Sequence, residues 1–79
     1  MKYEFKIMEV NDNHYTVDVC IKDSIDNTFF RDTLEARYDN NMVLLDLNYI
    51  RSVILDKTIR LEFVARLKMF IKEYIMKHK

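Results

Sequence analysis

The chain has 79 residues, with 13 basic and 13 acidic side chains, two histidines, one cysteine, and neither glycine nor proline. That length allows one small domain, and a hydrophobic fraction of 49% is too apolar for a disordered tail. Without glycine the chain cannot form a P-loop, a dinucleotide fingerprint or a nucleophile elbow, each of which needs backbone conformations that only glycine adopts at low cost.

The N-terminal segment reads as a hairpin over residues 2–22. Tyr3, Phe5 and Ile7 alternate with charge. Tyr15, Val17, Val19 and Ile21 do the same on one face of a second strand, leaving Thr16, Asp18, Cys20 and Lys22 on the other. Between them Asn11-Asp12-Asn13-His14 can turn without glycine, because Asn and Asp tolerate left-handed backbone. Residues 28–38 admit two readings. As a helix they place Phe30, Leu34 and Tyr38 at i, i+4 and i+8. As a strand, a two-residue turn at Asn40-Asn41 sets Tyr38 opposite Val43, Ala36 opposite Leu45 and Leu34 opposite Leu47, with Glu35 facing Asp46.

From Asn48 onward the pattern turns helical. A short helix is expected around 49–55, and a long one from about Thr58, which can serve as its N-cap. Phe63, Val64, Leu67, Phe70, Ile71, Tyr74 and Ile75 form one apolar stripe on the long helix, supported by Glu62–Arg66 and Glu73–Lys77 pairs. Extended backwards, that stripe would put Asp56 and Arg60 in the core. The fold class that follows is α+β: a single domain over 1–79, with an antiparallel sheet of about four strands covered by a long C-terminal amphipathic helix.

Candidate chemistry is sparse. His14, His78 and Cys20 are the strongest ligand types present, and they fall in a turn, at the C-terminus and in a strand, which is no zinc spacing. No cofactor or metal is implied by the residues themselves. His14 sits six strand positions from Cys20, roughly 20 Å along an extended chain, so the two do not make a nucleophile–base pair. Glu4-Phe5-Lys6 has the acid-x-Lys spacing with which a nuclease strand presents a metal to phosphate, yet no partner Asp precedes it and charge alternation on any exposed strand gives the same tripeptide.

The lone thiol excludes an intramolecular disulfide and predicts a reducing, cytoplasmic setting. Charge interleaved through Met1–Lys6 predicts no signal peptide. The longest apolar run, Met42-Val43-Leu44-Leu45, is far below the ~20 residues of a membrane helix.

Charge is divided along the chain, with five basic against ten acidic groups in residues 1–50 and eight against three in 51–79. The basic end either docks on the acidic body or forms a binding surface. On the long helix, Leu61, Ala65, Met69, Lys72 and Met76 lie roughly opposite the main stripe and mark a partner or dimer surface, methionine being adaptable in such contacts. The functional expectation is a small non-catalytic protein-interaction protein, self-associating through strand edges or this minor stripe. Its type would be an adaptor, inhibitor or immunity protein such as mobile elements often encode. The alternative partner is nucleic acid, bound by Arg66, Lys68, Lys72, Lys77 and Lys79.

Three segments also resemble, in order, those of the 6-pyruvoyl-tetrahydropterin and 6-carboxytetrahydropterin synthases. They are His14-Tyr15-Thr16-Val17-Asp18-Val19, Val43-Leu44-Leu45-Asp46-Leu47-Asn48-Tyr49-Ile50-Arg51, and Glu62-Phe63-Val64-Ala65-Arg66. The resemblance implies a tunnelling fold whose protomers join into rings. It also places that family's two zinc histidines on Asn11 and Asn13 and its Asp-His pair near Ile59 and Arg60, with no cysteine ahead of the hairpin to act as catalytic thiol. What it implies is a degenerate relative that keeps an assembly or partner surface without the zinc and pterin chemistry.

Overall fold

Two periodicities divide the chain: apolar residues alternate up to Leu45 and recur at helical spacing afterwards. The computed structural model describes residues 1–78 and gives β1 (Lys2–Asn11), β2 (His14–Lys22), β3 (Thr28–Asp39), β4 (Met42–Leu45), α1 (Leu47–Val53) and α2 (Lys57–Lys77). The strands form one antiparallel sheet in the order β1-β2-β3-β4. With α2 laid over one face, this is the expected α+β architecture.

Each reversal is made by Asp or Asn in left-handed backbone, which answers how a chain without glycine turns at all. Asp12 (φ 55) serves β1–β2, Asp26 (φ 65) serves β2–β3, and Asn40 and Asn41 (φ 50 and 62) serve β3–β4. Two consecutive positive φ values give the primed turn whose twist suits a two-residue hairpin. In the β2–β3 loop the Asp23 carboxylate accepts from the backbone N–H of Ile25 and Asn27 at 3.0 and 2.9 Å.

Residues 28–38 are strand. Pairing with β2 from Lys22↔Thr28 to His14↔Arg37 gives the backbone groups on that side of the strand their partners. A register shift between Ile21 and Lys22 leaves Phe29 as an extra residue, as a second shift does for Met8 in β1. The expected Tyr38↔Val43 and Ala36↔Leu45 pairs form. Leu34↔Leu47 does not, because β4 stops at Leu45 and Asp46 leaves the sheet to cap α1, its carboxylate accepting from Tyr49 N–H at 3.0 Å. The Glu35/Asp46 opposition is thereby avoided, and α1 begins at Leu47 rather than 49.

One sheet face and α2 enclose the core. Val17, Val19 and Ile21 on β2, and Phe63, Leu67 and Ile71 on α2, are all fully buried, with Ile50 and Ile54 closing the end beside α1. Phe63 holds the centre, its ring lying 5.9 Å from Phe5, 6.1 Å from Phe30 and 6.5 Å from Tyr3. Phe70 adds a contact to Phe5 at 5.4 Å. Such tilted pairs contribute beyond the area they bury.

The N-cap of α2 is Asp56, not Thr58: its carboxylate accepts from Ile59 N–H at 3.0 Å, and the helix starts at Lys57. Arg60, at a core-facing phase, is accommodated because its guanidinium donates to the carbonyls of Ile54 and Leu55 at 3.0 and 3.5 Å, satisfying acceptors at the end of α1. Asp56→Ala is therefore expected to lower stability by about 1 kcal/mol and Thr58→Ala by only a few tenths, as read by urea denaturation. Equal losses would contradict the assigned cap.

Candidate docking surface

At about 100° per residue, Leu61, Ala65, Met69, Lys72 and Met76 fall within an arc of about 80° on α2. That arc lies opposite the buried Phe63, Leu67 and Ile71. The structure leaves the whole line in solvent: Leu61, Met69 and Met76 are 60, 62 and 74% exposed, and Ala65 and Lys72 are exposed between them. α2 is thus apolar on both sides, with a long inner stripe covering the sheet and a sparser outer one.

At its N-terminal end the outer line runs into a feature that periodicity alone did not reveal. Between α1 and α2 lies a hollow of about 260 Å³ floored by Leu47, Ile50, Leu61 and Val64 and rimmed by Arg51, Lys57 and Arg60. Leu55, in the link between the helices, is 81% exposed. The sequence held one signal for it: Leu47, at the start of α1, and Leu55, in the link, are large apolar residues outside the core stripe, each within four positions of a basic residue.

A second depression, of about 210 Å³, marks where β4 ends while β3 continues, and Tyr49 and Asp46 line it. Asp32 lies on the helix-facing side of β3, opposite Val19, and accepts from Thr33 N–H at 2.7 Å and from the Tyr49 hydroxyl. The bond to Asp32, and then partial burial, hold the Tyr49 pKa above the ordinary phenol value. A raised pKa means that this contribution is complete below about pH 10, the unfolded value, and is lost as pH climbs through the folded one. Ultraviolet titration of wild type minus Tyr49→Phe should show Tyr49 ionising late, and Asp32→Ala should return it toward normal. An unshifted Tyr49 would contradict the contact.

The remaining candidates are scattered. Cys20 is buried on the sheet face away from α2, beneath the surface that Glu4, Lys22 and Arg31 line. Glu4 pairs with Lys22 at 3.3 Å. His14 opens β2, and His78 stacks on Tyr74 at 4.0 Å with Nδ1 2.8 Å from the Tyr74 carbonyl. Among the described residues, no three His, Cys, Asp or Glu side chains are grouped as metal ligands would be. Of the basic residues on α2, Arg66 binds Glu62 at 3.2 Å and lies 5.0 Å over the Tyr3 ring. Lys68 is half-buried, Lys72 and Lys77 are exposed, and Lys79 lies outside the described residues. Helical geometry sets Arg66 and Lys72 about 120° apart.

Of the segments that resemble the pterin synthases, the first lies on β2, the second runs from β4 through α1 and the third lies on α2. Asn11 and Asn13 flank the tip of the first hairpin, and Ile59 and Arg60 occupy the first turn of α2. Among the described residues, no helix is long and apolar enough to cross a membrane. Comparison of the chain with protein-family models, with curated proteins and with solved structures found no match.

Proposed function

We propose that this chain is a small non-catalytic protein-interaction protein of adaptor, inhibitor or immunity type, acting in the cytoplasm and docking a protein partner on the outer face of α2. One observation carries this reading: the outer apolar line on α2 continues into the basic-rimmed hollow beside α1, while the inner face of the same helix already covers the sheet. Exposed apolar residues scattered singly need no explanation, but a line of them on one helix face, interrupted only by Lys72 and ending in a concavity, is the form an interaction site takes. The basic residues set the partner's chemistry. Arg51 and Lys57 at the rim, and the exposed Lys72 within the outer line, suit acidic groups around one or two apolar anchors, which Met69 and Met76 can accommodate by rotamer change.

The test is site-specific photocrosslinking in the source cells. A photoreactive residue at position 69 should capture a defined protein species, and the same group at Thr33, exposed on β3, should not. Equal labelling from both positions, or none from position 69, removes the reading.

A further inference from the structure

β1 is an edge strand ten residues long, hydrogen-bonded to β2 on one side only. Such an edge presents unpaired N–H and C=O groups, and folded proteins usually protect it with lysines, bulges or a covering element. Here the bulge comes late, at Met8, leaving the stretch from Lys2 to Ile7 regular. The charges along that stretch are not uniform: Lys2, Glu4 and Lys6 alternate in sign on the face away from α2, and Tyr3, Phe5 and Ile7 lie half-buried on the face toward it.

An alternation of this kind is complementary to its own reverse. When β1 is laid antiparallel against β1 of a second molecule with Phe5 on the two-fold axis, Glu4 of each copy stands opposite Lys6 of the other. Tyr3 stands opposite Ile7, and Phe5 opposite Phe5. Centring on Glu4 or on Lys6 opposes like charges at the axis, and centring on Tyr3 leaves Ile7 without a partner. We infer that this chain forms a two-fold dimer through β1, joining two sheets into one of eight strands with the register centred on Phe5. The arrangement is isologous, so it closes at two copies, and main-chain pairing supplies affinity while the facing side chains fix the register. Glu4 would then lie between Lys22 of its own chain, 3.3 Å away, and Lys6 of the other. The half-exposed Tyr3, Phe5 and Ile7 would gain apolar neighbours.

The inference deepens the reading of a protein that acts through contacts, but it uses a surface separate from the outer face of α2. A charge-swap series tests it by sedimentation equilibrium at micromolar concentrations, with circular dichroism as the check on folding. Glu4→Lys and Lys6→Glu each place like charges at both paired positions and should weaken the dimer about tenfold or more. The double variant E4K/K6E restores opposite charges across the axis and should dimerise within a few-fold of wild type. Within one chain Lys6→Glu also sets a carboxylate opposite Asp18 of β2 and Glu4→Lys loses the pair with Lys22, but the double variant keeps both changes, so neither accounts for recovery. A monomeric wild type, single variants that dimerise normally, or a double variant as weak as the singles would each overturn the proposal. Crosslinking from position 69 in the Lys6→Glu variant keeps the two readings apart, because partner capture there does not depend on the β1 edge.

Discussion

Phe63→Ala should leave the protein largely unfolded at body temperature. Phe63 is wholly buried and its ring meets Tyr3 and Phe5 of β1 and Phe30 of β3, so truncation empties the point where α2 rests on the sheet. Removing a buried Phe costs about 3–5 kcal/mol in transfer and cavity terms. A core of this size stabilises by only about 3–5 kcal/mol in all. Neighbouring side chains can recover little, since Leu67 and the β2 valines are themselves fully buried. Urea denaturation followed by circular dichroism measures the loss, and a deficit under about 1 kcal/mol would show that α2 does not hold the sheet as described.

The opposite face of the same helix should behave in the opposite way. The double substitution Leu61→Glu, Met69→Glu replaces two exposed residues with one of similar helix propensity, so stability should stay within about 0.5 kcal/mol of wild type. Partner binding should fall by about 3 kcal/mol, roughly a hundredfold in Kd, because two apolar anchors are lost and two carboxylates are set against an acidic partner. Isothermal titration with the protein captured from position 69 reads the affinity directly. A variant that is destabilised as much as Phe63→Ala, or one that binds normally, would show that the two faces are not divided between folding and docking.

Much of the architecture is legible in residue spacing, and the exceptions have physical causes. The alternation in β2 is read correctly because every inward position is apolar and a slip of one residue would bury Asp18 and Lys22. The Asn40-Asn41 turn is equally plain, since only Asn and Asp tolerate two successive positive φ values in a chain without glycine. Residues 28–38 stayed ambiguous because Phe30, Leu34 and Tyr38 satisfy both periods; pairing with β2, a long-range fact, decides it. Asp56 and Thr58 are both competent caps, and the choice falls to Asp56 because Arg60 must reach the carbonyls of Ile54 and Leu55, which requires a helix already begun. That same contact explains how a guanidinium occupies a core-facing phase. The outer line of α2 follows from helical arithmetic alone. The hollow that continues it does not, because it is made by two helices meeting at an angle and no local pattern records that angle. The register shifts at Met8 and Phe29 are invisible for a similar reason: each depends on the partner strand.

The claim that matters most is that the outer face of α2 meets a partner, and the protein carries its own reporters for it. Met69 and Met76 lie on that face, while Met8 sits at the β1 bulge and Met42 at the β3–β4 turn, all four exposed. With the methionine methyl groups labelled with carbon-13, adding extract of the source cells should broaden the Met69 and Met76 signals and leave that of Met42 sharp. Sharp signals throughout, or broadening confined to Met8 and Met42, would contradict the account.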